Sequence, residues 1–258
     1  MIRIGTSGYS FDDWHPSFYP PDLPKGKRLD FYASRFRCVE VNSTYYRLPH
    51  PAVMHQMEKK TDRDFRFFVK LNQQVTHKGI AEEEHFRAFL DVIAPLEDSG
   101  KFCGALAQFP WAFRRTRDNI EHLRRIREHM TGRHLFVEFR HDSWAKEETF
   151  SELRELDLGF CAVDEPNLRG LFPPVVRETN GIGYVRFHGR NAKNWWGHGG
   201  GDRYDYDYSD RELGEWLEMI HELGSTTTDT YLFFNNCHAG RAAHNAQRMA
   251  ELLDQTGE

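Results

Sequence analysis

Hydrophobic runs that end in polar residues recur eight times along the chain, at residues 3–8, 38–43, 65–70, 103–108, 134–140, 160–164, 183–188 and 231–236. Each run is short and rich in β-branched or aromatic side chains, and helical stretches separate them, which is the pattern of parallel βα units. Eight units in about 250 residues match the count and length of a closed (β/α)8 TIM-type barrel, whose active-site face lies at the C-terminal ends of the strands. The polar terminators therefore converge on one mouth.

Between the runs, Phe86, Phe89, Leu90 and Ile93 recur at spacings of three and four, as do Leu213, Trp216, Leu217 and Ile220. Each set forms one apolar stripe that packs a helix onto the barrel wall. Ser209 followed by Glu212 has capping-box spacing, so a helix starts there. Further helices are expected near 28–36, 51–60, 117–130, 145–157 and 240–254. Residues 165–174 contain three prolines and Gly170, which predicts an irregular sixth βα unit. Two other βα connections, 9–27 and 189–208, are long and aromatic, as lids and binding walls are. In the second, Gly199, Gly200 and Gly201 read either as a hinge or as a flexible surface turn. Trp195 and Trp196 are expected to cover a bound ring while Arg190 or Lys193 meets its charge.

Composition keeps this picture and narrows the partners. The 258 residues carry 34 basic and 39 acidic side chains, a net charge of −5, and no linker divides them, so one domain over 1–258 is expected. That balance argues against nucleic-acid binding through the whole surface and leaves room for a local basic mouth. The arginine-rich stretch 114–127 is interrupted by acidic residues and reads as a solvated helix face. Cys38, Cys103, Cys161 and Cys237 form no CxxC pair, which fits reduced thiols rather than a disulfide or zinc framework. A strand beginning at the first residues leaves no room for a signal peptide. No apolar stretch approaches the length of a membrane span, so a cytoplasmic protein without membrane association is expected.

Strand parity groups Glu40 with Asn42, Glu138 with Arg140 and Arg186 with His188, and these charges are hard to place against outer helices. Pointing inward with Lys70, Gln108, Asp164 and Asn236, they form either a structural ion-pair network or a ligand site. Several chemistries compete for them. A metal hydrolase would use Glu138, Asp164, His188 and His77, yet no HxH or HExxH spacing is present, and neither a metal nor another cofactor is expected. A glycosidase would pair Glu40 with Glu138 or Asp164 and use Trp111, Trp144, Trp195 and Trp196 as platforms. Cys237 beside His238 is a poor dyad, because sequence neighbours rarely have the geometry. An anionic substrate fits better. Lys70, Arg140, Arg186 and His188, joined by Arg47, suit a phosphate or carboxylate, with His188 and one of Glu40, Glu138 or Asp164 as acid and base. The expected protein is an enzyme, a hydrolase or lyase, acting on an anionic small molecule or nucleic-acid fragment. A non-catalytic barrel binding a nucleotide, nucleic acid or partner segment is the alternative.

The motifs also carry a family resemblance. Gly5-Thr-Ser-Gly-Tyr-Ser-Phe-Asp-Asp-Trp14 with Phe18-Tyr-Pro20, Val39-Glu-Val-Asn-Ser-Thr-Tyr-Tyr-Arg-Leu-Pro49, Thr76-His77, Gln108-Phe-Pro110, Glu138-Phe-Arg-His-Asp-Ser-Trp144, Arg186-Phe-His-Gly189 and Phe234-Asn-Asn236 together resemble the DUF72, or YecE-like, family. The resemblance implies a TIM-type barrel and no particular reaction. It places the family's strand-end residues on Glu40, Asn42, Ser43, Lys70, Gln108, Glu138, Arg140, Asp164, Arg186, His188 and Asn236. Pro110-Trp-Ala-Phe113 departs from the double proline and serine more usual there, which concerns the fourth loop.

Overall fold

A computed structural model describes residues 1–197 and 202–256. Eight parallel strands close on themselves in sequence order, β1 Ile2–Ser7, β2 Cys38–Val41, β3 Arg66–Lys70, β4 Phe102–Gln108, β5 Leu135–Glu138, β6 Gly159–Asp164, β7 Ile182–Phe187 and β8 Asp229–Phe234, with β8 paired to β1. The fold is a (β/α)8 barrel. Its helices are α1 Arg28–Ala33, α2 Ser43–Tyr46, α3 Pro51–Lys59, α4 Gln73–Thr76, α5 Glu83–Asp98, α6 Arg117–His129, α7 Glu147–Glu155, α8 Asp210–Gly214, α9 Leu217–Thr226 and α10 Arg241–Thr256.

The periodic stripes give these helices for the expected reason. α5 buries Phe86, Phe89, Val92, Ile93 and Leu96 on one side. α8 starts at Ser209, whose N–H donates to Glu212 Oε2 at 2.9 Å while its Oγ accepts from the Glu212 amide, so the capping box is present. The stripe from Leu213 to Ile220 is split between α8 and α9 rather than lying on one helix. Arg124 and Arg125 of α6 face solvent, as a charged outer face does. Between Glu165 and Gly181 the described chain forms no helix, in keeping with its prolines. No helix among the described residues is long and apolar enough to cross a membrane, and the four cysteines are free.

Packing divides the interior into two levels, and this positions the site. Cys38, Phe68, Leu106, Phe136, Cys161, Tyr184, Tyr231 and Phe233 meet on the barrel axis as an apolar plug. The Phe68 ring lies 4.7 to 5.4 Å from those of Phe136, Tyr184, Tyr231 and Phe233. Gly159 is needed here, because a Cβ would overlap the Phe136 ring. Two residues further along each strand the inward side chain stands one level nearer the mouth. Stepping from the plug gives Glu40, Lys70, Gln108, Glu138, Arg186 and Asn235, and a second step gives Arg140, Glu165 and His188. Residues of the opposite parity, such as Val39, Phe67, Ala107, Val137 and Phe187, join the larger apolar layer under the helices.

Candidate functional site

The charged level is a closed ion-pair network. Arg186 donates to Glu138 Oε2 and Glu40 Oε1, both at 2.6 Å, and reaches Ser7 Oγ at 3.3 Å. Tyr184 Oη donates to the other Glu40 oxygen. Arg140 Nε donates to Glu138 Oε1 at 2.6 Å and its Nη1 to Glu165 Oε2 at 2.8 Å. Glu165 also accepts the Phe172 amide, which ties the irregular sixth connection to the barrel. Glu40, Glu138, Arg186 and His188 are all fully buried.

Burial and neighbours set the protonation states. Burial opposes charge on Glu138, but Arg140 and Arg186 hold its carboxyl well below the usual range. Burial and the adjacent Arg140 push His188 down to about 3. Asn235 Nδ2 lies 3.0 Å from His188 Nδ1, and with that nitrogen as acceptor the ring proton sits on Nε2, 3.2 Å from Glu138 Oε1. Arg140 Nη2, 3.0 Å from the same Nε2, opposes a second proton. His188 is therefore a neutral, enclosed ring, with Tyr204 6.3 Å away. Its ring meets Glu138, Arg140 and Asn235 and does not line the cleft described below.

Above this network opens a cleft of about 520 Å³, lined by Lys70, Gln108 and Arg140 at its floor and by Tyr45, Tyr46, Trp111, Trp196 and Tyr204 on its walls, with His77 and Arg203 at the sides. Among the described residues no carboxylate lines it. Lys70 Nζ donates to Gln108 Oε1 at 2.8 Å and stands 4.3 Å from the centre of the Tyr45 ring. Burial, with Arg186 and Arg140 nearby, lowers its pKa to about 7 against the opposing pull of Glu138 and Glu40. Below, burial raises Glu165 to about 7 despite Arg140. A groove of about 810 Å³ lies at the opposite end of the barrel, but its Arg3 and Arg37 face Asp229 and Asp62, and none of the strand-end residues reaches it.

The expected inward set is thus split into a sealed network and the floor of a cleft. Lys70, His77, Gln108 and Arg140 reach the cleft, whereas Glu40, Glu138, Arg186 and His188 lie sealed beneath it. Asn42 is half-buried with its Oδ1 unpartnered among the described residues, and Ser43 and Arg47 are exposed; none of the three lines the cleft.

Two placements need correction. Asp164 does not point into the barrel: it accepts from Arg190, from Tyr208 Oη at 2.6 Å and from Trp216 Nε1 at 2.6 Å on the helix side. Parity counted from Cys161 puts Glu165 inside instead. Asn236 likewise faces outward, donating to Asn245 Oδ1 at 2.6 Å and to the Tyr206 carbonyl, while Asn235 takes the inward place beside His188. Asp164 and Asn236 are anchors for the seventh connection rather than parts of the site.

The competing chemistries can now be weighed on geometry. Both oxygens of Glu138 already hold guanidinium groups, which occupy the positions a metal would take beside His188. The described His, Cys, Asp and Glu side chains close enough to share a metal are Glu82, Glu84 and His85, none of which lines the cleft. Glu40 and Glu138 share Arg186 below the floor, so they cannot flank a glycosidic bond, and Trp144 is a packing residue stacked 4.2 Å from Phe139. Burial raises the Cys237 thiol pKa and its Sγ faces the Ser7 carbonyl, so it is no nucleophile.

The seventh connection is tied at both ends. Arg190 bridges Asp164 and Glu215, Tyr208 Oη accepts the Gly189 amide, and Asn245 Oδ1 accepts that of Tyr208. The expected hinge or surface turn at Gly199 to Gly201 lies outside the described residues. The two tryptophans separate in role: Trp195 is 2% exposed, with Arg140 and Arg203 5.8 and 6.0 Å from its ring, whereas Trp196 is 52% exposed and meets Trp111 edge-on. Trp195→Ala should lower stability by about 3 kcal/mol in urea unfolding, as truncation of buried aromatics does. Trp196→Ala should leave stability within about 0.5 kcal/mol. Equal losses would show that both are packing residues.

The described molecule is a (β/α)8 barrel whose C-terminal mouth is a cationic, aromatic cleft over a buried ion-pair network. Residues 3–258 match the model for DUF72, protein of unknown function DUF72, and the chain belongs to that family. It is 34% identical over 271 residues to the UPF0759 protein YunF of Bacillus subtilis, covering 98% of this chain and 95% of that protein. The UPF0759 protein YecE of Escherichia coli matches over 98 residues at 36% identity, 37% of this chain and 34% of that protein. Among solved structures, a DUF72 family protein from Thermotoga maritima superposes with a TM-score of 0.92 at 42% identity, covering 98% of this chain and 99% of that one. A DUF72 family protein from Enterococcus faecalis gives 0.88 at 29% identity, covering 98% and 96%.

Proposed function

We propose that this protein is an enzyme, a lyase rather than a hydrolase, that binds an anionic, ring-bearing small molecule in the barrel mouth and uses Lys70 as its acid–base group. The observation that carries this reading is the composition of the cleft: two cationic groups stand on its floor, aromatic rings form its walls, and no carboxylate among the described residues lines it. Arg140 spends two of its five N–H groups on Glu138 and Glu165, leaving donors for an anion. Tyr46, Trp111 and Trp196 are exposed large side chains on which a ring can stack. Lys70, with its pKa near 7, exchanges a proton at neutral pH, where a general acid or base is most effective. A lyase is preferred because no carboxylate among the described residues lines the cleft to activate water, and the one neutral imidazole among the described lining residues, His77, has its Nδ1 engaged by Thr76 at 2.9 Å.

Titration calorimetry with AMP and adenosine tests the anion requirement. AMP should bind at least about tenfold more tightly, the worth of one charge-assisted hydrogen bond, and Trp196→Ala should weaken it about tenfold. Equal affinity for AMP and adenosine would overturn the reading. The rival, a non-catalytic barrel, draws support from the exposed Trp111 and Trp196 beside Arg114, which suit the end of a nucleic-acid strand. Tight binding of oligonucleotides with no preference for a terminal phosphate would favour it.

A further inference from the structure

Among the charged groups of the barrel mouth, Lys70 is placed unlike the others. Glu40, Glu138, Glu165, Arg140 and Arg186 are bound to one another, and the buried Lys101 is held by Glu58 and two backbone carbonyls. Lys70 Nζ has one neutral acceptor, Gln108 Oε1, and the face of Tyr45, with no carboxylate in ion-pair reach among the described residues. It stands at the floor of a cleft that opens to solvent, beside the free donors of Arg140. An amine in that position is a nucleophile held next to an anion site.

From this geometry we infer that Lys70 forms a covalent iminium with an anionic aldehyde or ketone whose phosphate or carboxylate is held by Arg140. The inference rests on the anion-binding reading above and names the substrate class of the same site. The Nζ lone pair adds to the carbonyl carbon, the C=O π pair moves to oxygen, and one proton passes from nitrogen to oxygen to give a carbinolamine. Protonation of that hydroxyl and return of the nitrogen lone pair expel water and leave the iminium, with no oxidant or reductant consumed. The positive iminium then withdraws electrons from the adjacent carbon, which is how a lyase of this kind weakens a C–C or C–H bond. The groups around Lys70 favour the free amine: burial and the cations Arg186 and Arg140 lower its pKa to about 7, Glu138 and Glu40 oppose them, and neither Tyr45 nor His77 brings a negative charge. Gln108 orients Nζ without neutralising it.

Pyridoxal 5′-phosphate is a suitable probe, since it joins a phosphate and an aldehyde on an aromatic ring. The full chain is incubated with it, reduced with borohydride, and mapped by peptide mass spectrometry. The hydride converts the iminium to a stable secondary amine. A single adduct on Lys70 at substoichiometric probe is expected, forming at least about tenfold faster than on any surface lysine and reaching half its plateau rate near pH 7. Label spread over the surface lysines with Lys70 unmodified would overturn the inference, and this readout on the native protein does not depend on a variant folding. Lys70→Met, checked for folding by circular dichroism, should lose the rapid adduct. Pyridoxine 5′-phosphate, which has no aldehyde, separates anion binding from the covalent step. If it binds and the aldehyde gives no Lys70 adduct, the covalent step falls and the anion site stands. If neither phosphate binds, the anion site falls as well.

Discussion

Arg186→Met is expected to destabilise the protein by about 3–5 kcal/mol, the cost of leaving a buried charge without its partner. Arg186 spans Glu40 and Glu138 at 2.6 Å each, and all three side chains are sealed from water. Its removal strands Glu40 and leaves Glu138 with Arg140 as its guanidinium partner, above an apolar plug. Urea unfolding at neutral pH measures the loss, and adding Glu40→Gln should recover part of it, because the stranded charge is then neutral. The pH dependence has a definite sign. Glu138 titrates well below its unfolded value in the native protein, so the stability it contributes is complete above the unfolded pKa and is lost as pH falls through the folded one. In the variant that depression is weakened, and the stability deficit should shrink on acidification. A loss below about 1 kcal/mol at neutral pH would mean that water reaches the carboxylates.

Arg140→Gln should weaken AMP binding by about tenfold to a hundredfold, since charge-assisted hydrogen bonds contribute about 1.5–3 kcal/mol. Thermal unfolding monitored alongside separates this from the cost of stranding Glu165. In the native protein the affinity should also depend on pH, with a direction fixed by two groups. Lys70 gains a positive charge and Glu165 loses a negative one as pH falls through about 7, so the mouth becomes more attractive to anions. Binding should therefore tighten between about pH 8 and 6, and the slope should diminish in Lys70→Met. An affinity that is flat or rises toward alkaline pH would contradict this assignment of charge.

The barrel itself was legible in the sequence because eight strand–helix repeats leave few other folds, and the inward direction of Glu40, Glu138, Arg186 and His188 follows from simple alternation. The same reasoning failed at Asp164 and Asn236. Both faces of a parallel strand are apolar, so hydrophobicity does not mark which parity points inward. Where two polar residues end a strand together, as Asp164 with Glu165 and Asn235 with Asn236 do, only the frame set by Cys161 or Phe233 on the axis decides between them. The division of the charged residues into a sealed network and the floor of a cleft was also out of reach. Gln108 and Glu138 stand opposite each other in register, yet one lines the cleft and the other is sealed, so the division depends on which neighbours cover each side chain and not on its place in a strand. Tyr45, Arg203 and Tyr204 reach the cleft from connections whose paths the sequence does not fix.

The aromatic plug gives the cleft the character of a cul-de-sac. Phe68, Phe136, Tyr184, Tyr231 and Phe233 fill the axis beneath the charged level, so no second exit leads through the barrel toward the N-terminal strand ends. Whatever enters by the mouth leaves by it, and a product that keeps the anionic group leaves through the space the next substrate needs. Such a product should act as a competitive inhibitor. If two molecules form on cleavage, the fragment without the anion should depart first, while the fragment on Arg140 keeps the floor occupied until it dissociates.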